Sequence, residues 1–285
     1  MKNNIIIASD STTDLGPELI EKYKIKIMPI KIMLGGEEYN DGVDISPDYI
    51  YHHYENHNEL PKTAASNISE FEEFFAANTI KGNSLIFFTI SSEMSSNYMN
   101  ACIASEQFDN VYVIDSRNLS TGAGLLVLKA CDMAAEGYAP DEIVRACSKL
   151  TEYVDTSFVI DNLEFLHKGG RCSSIAALGA NLLKLKPSII VRNGRMTVGK
   201  KYRGTFSVSL ERYIGDQLSD VSEIDSNRVF VTHAGCDKRV VDACVKQVKK
   251  LGLFKEIIVT RAGCAVSSHC GRNTLGIIFI RNIKV

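Results

Sequence analysis

Three times in its first 115 residues the chain repeats one pattern: a short apolar run, a loop of hydroxyl and acidic residues, then a helical stretch. The runs are Ile5-Ile6-Ile7-Ala8, Leu85-Ile86-Phe87-Phe88 and Val111-Tyr112-Val113-Ile114. Apolar runs of four between polar loops read as buried strands. Strands separated by helices return in the same direction, so the pattern calls for a mostly parallel sheet with helices on both faces. A further strand is expected over 25–34, ended by Gly35-Gly36. Helices are expected from Pro17, after Ser46-Pro47, and over 68–77 with Ser66 or Asn67 as cap. Others are expected over 125–136 and 140–153. Residues 61–67, Pro-Lys-Thr-Ala-Ala-Ser-Asn, read as a turn-rich loop.

The rhythm then changes. A strand over 157–160 precedes a short helix over 163–167, stopped by Gly169-Gly170, and a helix over 174–185. Strands over 188–191 and 196–198 flank Asn193-Gly194, the strongest two-residue hairpin signal. A helix over 206–218 follows, and strands over 228–232, 256–260 and 275–280 enclose a helix over 238–251. The expected fold class is therefore α/β in two lobes. Residues 1–156 form an N-terminal α/β domain with a mostly parallel sheet, and 157–285 a C-terminal α+β domain with a mixed sheet.

Composition removes several functions. A net charge of −2 gives no argument for nucleic acid. No run approaches ~18 apolar residues, so no membrane span is expected. The start becomes charged too soon, at Asp10, for a secretory signal, and the eight cysteines contain no CxxC pair. Reduced thiols in a cytoplasmic protein are the expectation. Cys264, His269 and Cys270 lack a second paired cluster, so neither metal nor cofactor is expected. Charge is uneven, however. Seven acidic residues and no Lys or Arg lie between Glu37 and Leu60, and nine basic residues face only Asp161 and Glu164 between 161 and 203. Such a basic block is either a docking face for an acidic or phosphorylated partner or a solvated surface.

Candidate chemistry gathers where strands end. The loop Thr89-Ile90-Ser91-Ser92-Glu93-Met94-Ser95-Ser96-Asn97 runs from a strand into a helix expected near Tyr98. Free N–H groups and the helix dipole there suit an anion, while serines also serve simply as caps. Asp10-Ser11-Thr12-Thr13-Asp14 lacks the DxD spacing of a haloacid-type phosphatase and reads as a capping segment. In Gly122-Ala123-Gly124, Val127 takes the place of the third glycine of a dinucleotide fingerprint. No GxSxG elbow and no Walker A motif is present. His233 and His269 are candidate bases, and His269 lies in a run of small residues, 263–271, between two expected strands.

Read in order, one set of short motifs covers almost the whole chain. It comprises Ser9-Asp10-Ser11 with Asp14-Leu15, Lys62-Thr63, Ser91-Ser92-x-x-Ser95 with Tyr98, Asp115-Ser116 and Ser120-x-Gly122-x-Gly124. It continues with Lys168-Gly169-Gly170-Arg171, Lys186-Pro187, His233-x-Gly235-Cys236 and His269-x-Gly271. In this the chain resembles the DegV family, bacterial fatty-acid-binding proteins that present acyl chains to a fatty acid kinase. The resemblance implies a ligand tunnel between the two lobes. It implies a ligand carboxylate held by Thr63 and Ser95, with Ser96 beside them, and approached by His269 from the second domain. Arg171 and Arg203 would belong to the surface that meets the kinase subunit, and transient membrane contact is compatible with the role.

Two hydroxyls, a helix N-terminus and an imidazole can together replace the hydration of a buried carboxylate. The departures from the family pattern are Ala64 and Ala65 after Thr63, Glu93, Met94, Ser96 and Asn97 around Ser95, and Arg272-Asn273 after Gly271. Arg272 is expected to offset the charge of Glu93 at the head group. The resemblance implies a carrier rather than an enzyme. Two alternatives remain open: a sensor for a small non-lipid molecule, and an acyl hydrolase using Ser95 with His269 as base.

Overall fold

The computed structural model describes residues 4–178 and 185–282. The first half runs β1 (Ile5–Asp10), α1 (Pro17–Tyr23), β2 (Lys26–Met28), β3 (Lys31–Leu34), β4 (Glu37–Asn40), α2 (Pro47–His57) and β5 (Lys62–Ala64). It continues α3 (Ile68–Asn78), β6 (Ser84–Thr89), α4 (Asn97–Ser105), β7 (Val111–Asp115), α5 (Ser120–Glu136) and α6 (Pro140–Leu150). The second half runs β8 (Val154–Ile160), α7 (Glu164–Gly169), β9 (Leu185–Arg192), β10 (Arg195–Arg203), α8 (Phe206–Gln217) and β11 (Ile224–Ala234). Then come α9 (Lys238–Lys250), β12 (Glu256–Arg261), α10 (Cys264–Cys270) and β13 (Thr274–Arg281).

The expected parallel sheet is present, with order β2-β1-β6-β7 and every pairing parallel. Its central strand β6 is buried along its whole length. Leu85 and Phe87 face Phe71, Phe75 and Ala101 of α3 and α4, while Ile86 and Phe88 face α5 and α6. That two-sided burial explains why β6 reads as an unbroken apolar run. The expected mixed sheet has order β10-β9-β8-β13-β11-β12, with the hairpin turning at Asn193-Gly194. Helices α8 and α9 cover its outer face through Tyr213, Ile214, Val241 and Val248. Helix α5 lies between the two sheets and shares a core with Phe230 and Ile278 of the mixed sheet. Its first half, Ser120 to Leu128, is buried on every side, and the polar residues Lys129, Asp132 and Glu136 fall on one stripe of its second half.

Several local readings change. The strand expected over 25–34 is two strands in different sheets, β2 and β3. Between them stands Pro29, which has no N–H to give a ladder. β3 enters a small antiparallel sheet, β4-β3-β5, whose third strand is the segment read as a loop, with Ile32 opposite Thr63. Helix α5 starts at Ser120, so Gly122 and Gly124 lie in its first turns, not in a loop. Gly124 lets that turn approach the main chain: a Cβ there would stand 3.0 Å from the Thr13 carbonyl oxygen. Residues 264–270, placed only between two expected strands, form α10. The helix expected over 174–185 is a 3₁₀ turn, Ser173–Leu178, with β9 beginning at Leu185, and 179–184 lie outside the described residues. The expected boundary at 156 falls inside β8.

Candidate functional site

A cavity of about 1160 Å³, counting the part open to solvent, lies between the parallel sheet's loops and the inner face of the mixed sheet. Strand register orders its floor. One row is Ile160, Thr274 and Ala234, the next Phe158, Gly276 and Thr232, the last Thr156, Ile278 and Phe230. The first row lies at the end of β8 that leads into α7, the end of β11 and the start of β13 just after α10. Thr63, Ser95, Ser96, Arg171 and His269 line the cavity there. Met94, Phe158, Leu166, Met196 and Ile278 make its walls apolar.

The polar end is built from four elements. Thr63 is held by the pairing of β5 with β3, and its Oγ1 lies 2.9 Å from His269 Nε2. Burial, with the Arg171 charge adding, depresses the His269 pKa to about 4, so the ring is neutral at neutral pH. Its Nδ1 is buried without a hydrogen-bond partner. The ring packs on Gly169, where a Cβ would stand 2.5 Å from Nδ1, so that glycine makes room for the histidine. Arg171, which the resemblance assigns to a partner surface, lines the cavity beside His269 and donates to the Gly169 carbonyl at 2.8 Å.

The four serines divide. Ser91 donates to the Gly194 carbonyl across the lobes at 2.7 Å, and Ser92 donates to Asp115. Ser95 and Ser96 face the cavity, and Ser95 Oγ accepts from the Asn97 N–H at 3.2 Å. The loop is held from below by buried Asp10, which accepts from Ile90 N at 2.9 Å and Asn97 Nδ2 at 3.1 Å. Asn97 Oδ1 in turn accepts from Ser66 N, tying the serine loop to the segment after Thr63. Asp10 caps the short turn Ser11–Thr13, whereas α1 has Gly16 at its cap.

Helix α10 has no side-chain cap of its own, since Gly263 stands at that position. Two aspartates from the first half supply it. Asp41 accepts from Cys264 N at 2.6 Å, Ala265 N at 3.1 Å and Ser11 Oγ at 2.9 Å. Asp14 accepts from Gly263 N at 2.8 Å and from Ser120 Oγ. Burial raises the pKa of all three aspartates, and that of Asp14 reaches about 8, with the charges of Asp41 and Asp10 adding.

Other candidates stand elsewhere. Arg272 does not line the cavity: it lies 5.0 Å over the Tyr51 ring and 3.6 Å from Glu55. Its expected role beside Glu93 is also without an object. Glu93 pairs with Arg195 at 2.6 Å and Arg117 at 3.4 Å, and that pairing lowers its pKa. Arg203 is exposed at the end of β10. In the basic block, Lys168, Lys186, Arg195 and Lys200 are in ion pairs. No hydrogen bond joins His269 or His233 to Ser95 among the described residues, and His269 meets a hydroxyl rather than a carboxylate. All eight cysteines are free, and among the described residues no three His, Cys, Asp or Glu gather as metal ligands. No helix among them is long and apolar enough to cross a membrane. Asp41 and Asn97, which hold α10 and the serine loop, carry no motif in the sequence, where Asp41 reads only as one charge in an acidic run.

Known proteins share this fold. The chain is 32% identical over 278 residues to a DegV domain-containing protein of Clostridium acetobutylicum, covering 97% of this chain and 98% of that one. A fatty-acid-binding DegV family protein from Thermus thermophilus superposes with a TM-score of 0.90 at 25% identity, over 98% of this chain and 100% of that one. The Bacillus subtilis DegV, a fatty acid binding protein, gives 0.86 at 26% identity, over 98% and 99%. A stearic-acid-binding protein from Eubacterium ventriosum gives 0.84 at 26% identity, over 96% and 97%. The family model described as "Uncharacterised protein, DegV family" matches residues 4–282. The chain belongs to the DegV family.

Proposed function

We propose that the protein binds a long-chain fatty acid, with the tail in the inter-lobe cavity and the carboxylate at the end formed by Thr63, Ser95 and His269. The observation that carries this reading is the cavity's polarity: apolar walls leading to one end where hydroxyls, an imidazole and the Arg171 charge converge. Each buried CH₂ contributes about 0.8 kcal/mol, so the tail supplies affinity. The head group supplies orientation, with hydroxyl and imidazole donors in place of its hydration. A neutral His269 can donate from one nitrogen, and a bound carboxylate raises its pKa, so binding takes up protons as pH falls toward 5.

The protein would act as a carrier that offers the bound carboxylate to a partner fatty acid kinase. Arg171 and exposed Arg203 fit a surface for that partner, and the Arg171 charge bears on the carboxylate as well. Native mass spectrometry followed by organic extraction is the direct test, with about one fatty acid per chain expected. Thr63→Val and His269→Gln should each weaken stearate binding about tenfold or more, through lost hydrogen bonds to a charged group, while leaving binding of the methyl ester nearly unchanged. A purified protein that is empty and takes up neither palmitate nor oleate would overturn the reading.

A further inference from the structure

The serine loop of the first lobe and the β9-β10 hairpin of the second meet outside one wall of the cavity. β10 is an edge strand of the mixed sheet, and the turn that joins it to β9 reaches across to the other lobe. First-lobe side chains donate to both carbonyls of that turn. Ser91 Oγ donates to Gly194 O at 2.7 Å, and Arg117 Nη2 donates to Asn193 O. The approach is close: a Cβ on Gly194 would stand 2.6 Å from Ser91 Oγ and 3.0 Å from Arg117 Cζ. Charge extends the contact. Glu93 Oε2 accepts from Arg195 Nε at 2.6 Å, and Glu93 Oε1 lies 3.4 Å from Arg117 Nη1. Glu93 therefore bridges an arginine of its own lobe and one of the other.

Behind this contact stand Met94 and Met196, buried in one apolar cluster and both lining the cavity. Met94 follows Glu93 in the chain and Met196 follows Arg195. Unbranched thioether side chains repack easily, so this stretch of wall can change shape. Elsewhere the lobes are joined through covered surface, by the core that α5 shares with Phe230 and Ile278 and by the carboxylates of Asp14 and Asp41 on α10. Parting those contacts would expose apolar surface or leave buried donors unpaired. The Glu93 bridge parts at less cost. Its side chains are 28% exposed at Glu93, 36% at Arg117 and 70% at Arg195, and water and salt readily replace exposed ion pairs.

We propose that the Glu93 bridge is a latch: the hairpin tip swings off the serine loop to pass ligand between Met94 and Met196, and the bridge sets how often it opens. The proposal takes its ligand from the fatty-acid reading above and goes beyond it by naming the route of exchange. Glu93, Arg117 and Arg195 do not line the cavity, so they hold the wall without touching what lies inside. Loosening the latch therefore speeds entry and exit alike and leaves the affinity where it was. That signature separates it from a residue that binds ligand, whose loss raises the exit rate and Kd together.

The test follows parinaric acid, an intrinsically fluorescent long-chain fatty acid, onto and off the unmodified protein, Glu93→Gln and Arg195→Gln by stopped flow. In each variant both rates should rise about fivefold while Kd stays within about twofold. Raising salt from about 0.1 M to about 1 M shortens the Debye length from about 10 Å to about 3 Å. It should speed exchange in the unmodified protein and do less in Glu93→Gln. Without ligand, hydrogen exchange of the amides over 190–196 should quicken in both variants. Unchanged rates, or an exit rate that rises with Kd while entry stays the same, would overturn the latch and leave the fatty-acid reading standing. Failure of parinaric acid to bind the unmodified protein would overturn the fatty-acid reading instead. The latch then stands or falls on the amide exchange alone.

Discussion

Asp41→Ala should lower the free energy of unfolding by about 3 kcal/mol and take fatty-acid binding down with it. Asp41 lies in the loop after β4, yet its carboxylate holds the N-terminus of α10, more than two hundred residues later. Alanine would leave three donors without a partner: the N–H groups of Cys264 and Ala265 and the Ser11 hydroxyl. Each orphaned buried donor costs about 1–3 kcal/mol. Set against this is the cost of burying Asp41 itself, visible in its raised pKa, which the substitution relieves. Three such donors sum to about 3–9 kcal/mol, and the relief brings the net to the low end of that sum, about 3 kcal/mol. Urea denaturation measures it, with Ser46→Ala as the reference. Ser46 caps exposed α2 by accepting from Tyr49 N at 3.3 Å, a bond worth about 1 kcal/mol. If Asp41→Ala costs no more than Ser46→Ala, the cross-lobe cap is not holding α10. The effect on binding follows from geometry, because His269 is in the last turn of the helix that Asp41 anchors.

What could be read from the sequence follows the range of the interactions involved. The strand at 85–88, the Asn193-Gly194 hairpin and the helix capped by Asn67 depend on neighbours a few residues away, and each is present. The family too was legible, because its motifs are short and ordered. The break at Pro29 was missed because the apolar pattern of 25–34 continues through it while the missing N–H decides the geometry. Helix α10 was missed for a different reason. Its seven residues are small and carry no cap signal, since the cap arrives from Asp41 and Asp14 in the other lobe. The candidate site divides in the same way. Thr63 and His269 came from the resemblance, and only the folded chain shows their side chains within hydrogen-bond distance. Arg272 is suggested by its charge alone, and that charge is directed at Glu55 and Tyr51 instead. Glu93, a negative charge beside the expected carboxylate site, is paired by Arg117 in the loop after β7 and Arg195 at the start of β10, neither of which is near it in sequence.

Asp14→Asn should make the protein more stable than the unmodified chain at pH 9, by an amount that shrinks to nothing near pH 4. Burial, reinforced by the charges of Asp41 and Asp10, raises the Asp14 pKa from its ordinary 3.8 to about 8. A carboxyl whose pKa is higher folded than unfolded binds its proton more tightly in the folded state. Its contribution to stability is complete below about pH 4 and is lost as pH rises through about 8. Asparagine has no proton to lose. Its Oδ1 can accept from Gly263 N and its Nδ2 can donate to Ser120 Oγ, the two partners Asp14 already has. The difference between the two proteins should therefore open across pH 4 to 8 and reach a few kcal/mol, since each pKa unit is worth about 1.4 kcal/mol. Urea midpoints at pH 5, 7 and 9 on both proteins isolate this group from every other titration. A gap that does not change with pH, or an Asp14→Asn protein less stable at pH 9, would show that Asp14 is charged and needed as such. The two aspartates are also coupled. Removing the Asp41 charge lowers the Asp14 pKa, so in the Asp41→Ala background the gain from Asp14→Asn at pH 9 should shrink, and that non-additivity measures the repulsion between them.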